Sequence, residues 1–210
     1  MKKIILALCL LGFLQANAQV TLKPGVKAGL NLSKFTNSEA TNKTDFYLGG
    51  FMAIKFAKIY TLQPELIYSR QGAVRNVYYY PLYTSYDPAF QSSKKEVKYS
   101  LDYLGLNVIN KFTFGSGFQV VVGPAIDFKV SDNFSENNAE KPIGVDIALV
   151  GGLGYSYNNF TFEARVKQGM ADIFGDNYNQ TVDNNNNGNY DEVVLNQLFQ
   201  FGVSYTFDVK

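Results

Sequence analysis

Histidine is absent from the 210-residue chain, and so is tryptophan. Without histidine the chain lacks the commonest general base and the commonest transition-metal ligand. There is one cysteine, Cys9, inside a short apolar stretch near the N-terminus. A lone thiol excludes an internal disulfide. Neither charge dominates: 19 Lys and Arg stand against 18 Asp and Glu. Nucleic-acid binding normally requires a marked basic excess, so no nucleic-acid partner is expected. Beyond residue 18 no apolar run approaches the roughly 20 residues a membrane-spanning helix needs.

The N-terminus has its own grammar. Met1-Lys2-Lys3 is basic, Ile4–Leu14 is apolar, and Ala16-Asn17-Ala18 is a small-x-small cleavage signal. Together they read as a secretory signal peptide over 1–18, leaving a domain over 19–210. Leu6-Ala7-Leu8-Cys9 is a poor lipoprotein box, because the preceding apolar stretch is short and Leu8 suits a cut site badly.

What fills the remainder is alternation with period two, the signature of strands. Over 118–130, Phe118, Val120, Val122, Pro124, Ile126, Phe128 and Val130 share one face. Gln119, Val121, Gly123, Ala125, Asp127 and Lys129 share the other. Similar patterns occupy 25–34, 46–56, 60–70, 145–157, 160–170 and 195–209. An eighth segment at 97–112 alternates cleanly only at Leu104, Leu106 and Val108, and predicts a bulge near 101–104. Short connections (Ala57-Lys58, Gly115-Ser116-Gly117, Asn158-Asn159) alternate with long ones near 35–45, 72–95, 131–142 and 172–192. That layout predicts an all-β fold, an eight-stranded antiparallel up-and-down transmembrane barrel with tight periplasmic turns and long external loops.

Three features favour an apolar face turned outward to lipid. Glycine gathers on the polar face, where small residues make room inside a narrow barrel. The polar face carries charges of both signs: Lys27, Lys55, Lys129, Arg165 and Lys167 against Glu65, Asp127, Asp146 and Glu163, predicting a lumen network. Aromatic residues such as Phe56, Tyr60, Phe114, Tyr157, Phe160 and Phe207 cluster near the short turns, as in an interfacial girdle.

Several segments resemble the PorT-like outer-membrane β-barrel proteins of Bacteroidota. They are Gly25-Val-Lys-Ala-Gly-Leu-Asn-Leu-Ser33, Leu62-Gln-Pro-Glu-Leu-Ile-Tyr-Ser69 with Gln71-Gly72, Tyr103-Leu104, Val122-Gly123-Pro124 and Phe201-Gly-Val-Ser-Tyr-Thr-Phe207. The family commonly follows Tyr-Leu with Glu-Ile-Pro, whereas Gly105-Leu106-Asn107 stands here. The resemblance implies an integral outer-membrane protein, with secretion machinery as the namesake's association and no catalytic residues to transfer.

Few residues suggest a binding site. Asp183, Asn185, Asn187 and Asp191 match the front of a calcium loop, with Gly188 at the turn. Val194 replaces the closing glutamate, Glu192 lies nearby, and a solvated Asn-rich loop is the competing reading. No other cofactor is expected. Tyr78, Tyr79, Tyr80, Tyr83 and Tyr86 form an aromatic loop surface suited to a protein or glycan, or to packing over the barrel mouth. Catalysis would have to rest on Glu163 or Asp172, and no enzyme is expected. The expectation is a monomeric, non-enzymatic barrel in membrane lipid, inserted by outer-membrane machinery that reads its last strand. Its loops would meet an unknown protein or glycan. The alternatives are a small-solute pore or transporter, and a soluble secreted barrel binding an apolar ligand inside.

Overall fold

A computed structural model describes residues 20–36, 40–79, 93–135, 141–174 and 193–208. Eight strands follow in order: β1 (Thr21–Phe35), β2 (Thr41–Lys55), β3 (Tyr60–Tyr79), β4 (Ser93–Phe114), β5 (Phe118–Asp132), β6 (Val145–Tyr157), β7 (Phe160–Gly169) and β8 (Asn196–Thr206). Each pairs antiparallel with its neighbour, and β8 closes on β1. Within the closed wall the sheet therefore has no lengthwise edge, and the backbone there satisfies itself without water.

The tight turns follow local chemistry. Gly115 sits at φ 54° between β4 and β5, and Asn158 at φ 53° between β6 and β7. These are residue types that tolerate the left-handed region. The bulge expected in β4 near 101–104 lies on β5 instead: Asp102 and Tyr103 face Ser131 and Lys129, which leaves Val130 as the extra residue, while β4 pairs with β3 without a break. The segment expected as a loop at 72–95 differs more. β3 continues to Tyr79 and β4 begins at Ser93, with an unbroken register from Gln71–Leu101 to Tyr79–Ser93. Tyr78 and Tyr79 thus belong to a strand rather than to a loop. Val74, Val77, Val97 and Tyr99 are good strand formers, and each new pair extends a ladder already started.

Register fixes the barrel's shape. Starting at Leu22, direct partners run through Ile54, Leu62, Asn110, Val122, Gly151, Val166 and Phe199, and return to β1 at Leu32. That stagger of 10 residues over eight strands tilts them by about 40°. Over the same stretch β1 climbs about 25 Å, the height of a lipid-facing band.

The faces are inverted relative to a water-soluble protein. Leu30 is 56% exposed, Leu106 51% and Phe162 59%, whereas Lys27, Glu65, Glu163 and Arg165 are all 5% or less. Leucines outside and ion pairs inside are stable only when the outer medium is hydrocarbon. Charged or polar groups bound this belt. Lys34 and the Arg70–Asp102 pair stand at the long-loop end. Lys23 paired with Asp208 stands at the short-turn end. Rings distant in sequence meet at the latter: Tyr60 lies 5.5 Å from Phe112 and Phe160 lies 5.0 Å from Tyr205.

Candidate functional site

The inward positions of β1, β3, β4 and β7 meet at mid-height in one charged cluster. Arg165 from β7 donates both Nη atoms to Glu65 from β3, each at 2.9 Å. This fork matches the carboxylate's two oxygens. Lys27 from β1 bridges Glu65 and Glu163, at 3.0 Å to each. Arg165 also reaches Glu163 at 2.9 Å, and Lys111 from β4 approaches Glu163 at 3.2 Å. Gln63 and Asn107 donate to Glu65 at 2.7 and 3.0 Å. Three cations thus surround two carboxylates in a region closed to solvent. Such a group is tolerable only because every charge in it is paired, and Glu65, Lys27 and Arg165 are hydrogen-bonded as well.

Toward the long-loop end lies a second cluster. Asp127 and Asp146 stand directly opposite one another on β5 and β6. Lys167 reaches Asp127 at 2.6 Å. Asp146 is buried, and among the described residues it has no ion pair and its Oδ1 has no hydrogen-bond partner. Alongside the second cluster, on β1, β3 and β8, stands a group of neutral polar side chains. The Asn31 amide donates to Ser69 Oγ at 2.9 Å, Gln200 donates to Asn31 at 2.9 Å, and Asn196 donates to Gln71.

Above these groups the lumen ends in an apolar plug. Phe35, Leu101, Tyr103, Phe134, Ile173 and Val194 are buried together, with Tyr99 and Phe174 against them. Phe134 comes from the β5–β6 connection, and its ring lies 4.8 Å from Tyr99. Ile173 and Val194, near the two ends of the β7–β8 connection, are joined by a 2.9 Å backbone hydrogen bond.

Of the nine residues expected in a lumen network, Lys27, Glu65, Glu163 and Arg165 meet in the central cluster. Asp127, Asp146 and Lys167 meet in the second. Lys129 stands apart, 2.8 Å from Asp132 and 2.6 Å from the Pro142 carbonyl, tying β5 to the connection that follows. Lys55 corrects the expectation: it ends β2 at the short turn and is exposed. The strand's inward parity reaches a level already outside the lumen. Lys111 was missed, although Tyr103, Gly105, Asn107, Ile109 and Lys111 continue one parity along β4. Apolar Leu101, Tyr103 and Ile109 share that inward parity and blur the polar pattern that would have signalled it.

Among the described residues no group of three or more His, Cys, Asp or Glu is placed to hold a metal. The calcium candidates Asp183, Asn185, Asn187 and Asp191 lie outside the described residues, as do Tyr80, Tyr83 and Tyr86. Asp172 is half-buried at a loop base, where it accepts a 3.0 Å hydrogen bond from the Phe174 amide. At the short-turn end the Asn159 amide and the Lys23 ammonium hold the exposed Asp208 carboxyl below its ordinary range.

A family model described as "Outer membrane protein beta-barrel domain" matches residues 15–175. The chain belongs to this family. That assignment places the barrel in the outer membrane, with short turns inward and long connections outward. Solved structures are similar to the chain at low identity. Neisserial surface protein A (NspA) is 12% identical with a TM-score of 0.49, over 89% of this chain and 97% of that one. Ail, the attachment invasion locus protein of Yersinia pestis, is 10% identical with a TM-score of 0.44, over 88% and 98%. No curated protein sequence matches the chain.

Proposed function

We propose that this outer-membrane barrel is a non-enzymatic, non-conducting monomer that acts through its external end, where it engages a protein or a glycan. The observation that carries this reading is a lumen filled along its length: ion-paired and amide side chains below, an apolar plug above. Eight strands enclose a bore that side chains just fill, so little space remains for a solute. A general acid or base needs an open cleft beside it. Glu163, the strongest catalytic candidate in the sequence, is instead enclosed by Lys27, Arg165 and Lys111.

The experiment is reconstitution of the purified barrel into planar bilayers under a voltage ramp in molar salt. A flat current trace is expected. Stable unitary steps that scale with salt would overturn the reading in favour of a pore. The narrower PorT-like resemblance adds a role in protein secretion, supported by the sequence segments alone. Deleting the gene and measuring secreted protein tests it, with a loss expected if the role holds.

A further inference from the structure

Beyond the barrel rim the β3–β4 pair continues alone among the described residues. β2 accompanies β3 only as far as Thr41 opposite Val74, and β5 accompanies β4 only as far as Asp132 opposite Leu101. Asn133 extends that side by donating to the Lys98 carbonyl at 3.0 Å. Past these points β3 and β4 pair with each other up to Tyr79 opposite Ser93. Among the described residues, the outer edges over 75–79 and 93–97 meet no further strand. A two-stranded ribbon is marginal by itself in water, and its unpaired N–H and C=O groups are a template for another strand.

The ribbon is also basic. Arg75, Lys94, Lys95 and Lys98 stand against Glu96 alone. Arg75, Lys95 and Lys98 are exposed. The described ion pairs at this end are Lys43–Asp45, Arg70–Asp102 and Lys129–Asp132, and none of them uses these three cations. Like charge on two copies discourages pairing of the ribbon with itself. Opposite charge on an incoming strand is favoured across a sheet. A free edge calls for a polypeptide backbone, and the cations call for acids. A polyanionic sugar would answer only the second.

We propose that the external edge of β4 over residues 93–97, flanked by Lys98 and by Arg75 on the neighbouring strand, accepts an extended acidic segment of a partner protein as an added β-strand. This rests on the external interaction role above and names its partner class. The test uses the full-length barrel in lipid vesicles and a short fluorescent peptide alternating glutamate with threonine. Parallel probes are the lysine-for-glutamate peptide, two peptides N-methylated in opposite alternate registers, and inorganic polyphosphate as competitor.

The acidic peptide is expected to bind and to weaken with salt, and the lysine peptide not to bind. One N-methylated register should abolish binding, because it removes the donors that face the ribbon. The exposed triple variant Arg75→Ser, Lys95→Ser, Lys98→Ser should bind roughly tenfold more weakly, since each exposed charge pair contributes a small factor. Its unboiled gel mobility should match wild type, reporting an intact barrel. Absence of binding by wild type overturns the inference. So does unchanged binding by the triple variant, or by both N-methylated peptides with full displacement by polyphosphate, which would make the ribbon a general anion surface. Failure here leaves the conductance result untouched, and conductance would sink the closed-barrel reading whatever the peptide does.

Discussion

Glu65 is the residue on which the central charges converge, held by Arg165, Lys27, Gln63 and Asn107 at once. Glu65→Ala removes the acceptor and leaves three cations sharing Glu163. It is expected to cost about 3–5 kcal/mol, the range for breaking a buried ionic partnership. Urea unfolding in vesicles reads that as a lowered midpoint. The second cluster gives a sharper contrast. Lys167→Met leaves Asp127 and Asp146 facing each other with no cation at hand, and a loss of similar size is expected. Asp146→Asn removes a charge that has no ion pair, and is expected to change stability by less than about 1 kcal/mol in either direction. If Asp146→Asn proves the costlier of the two, the cluster is wired differently. At this scale inward parity placed most charges correctly, but it ran past the lumen at Lys55 and stopped short of Lys111.

Strands in this barrel are shaped by what their inward small residues allow. A side chain at Gly25 would strike the ring of Phe51 on β2, which stands directly opposite. At Gly123 the nearest atoms belong to the backbone of Val108 on β4. Overpacking of this kind costs about 1–3 kcal/mol. Gly25→Ala should therefore destabilise, and adding Phe51→Leu should recover much of the loss. Gly123→Ala should destabilise without rescue from any single side-chain change, as urea midpoints of the three variants would show. Equal behaviour at the two glycines would refute this division. Glycine on the polar face was legible as a sign of crowding. Which neighbour does the crowding was not, because that neighbour is set by inter-strand register.

Closure is a property of the whole molecule. The unboiled barrel is expected to run faster on a detergent gel than the boiled chain, because a closed ladder resists detergent until heated. Identical mobilities would argue against closure. The ends of the barrel are clipped by Lys23 at 2.6 Å from Asp208, with Asn159 donating to the same carboxylate at 2.8 Å. Asp208 is held below its ordinary range in the folded state, so its contribution is present above the usual carboxylate pKa. That contribution is lost as pH falls through the folded-state pKa. Asp208→Asn should lower the urea midpoint slightly at neutral pH, with the difference from wild type vanishing in acid. A difference that grows in acid would contradict the sign.

The amino-acid order by itself determined eight amphipathic strands, their sequence neighbours, the alternation of short and long connections, and the inverted faces. Each of these rests on local periodicity or on the mismatch between charged inner and apolar outer positions, which one strand displays alone. The three-dimensional closure decided which charges share a cluster, that β3 and β4 outgrow their neighbours, and that Phe35, Phe134, Ile173 and Val194 seal the mouth. Those outcomes depend on a stagger of 10 residues accumulated around the ring. A shift of two residues at any pairing would keep every face correct while giving every charge a different partner.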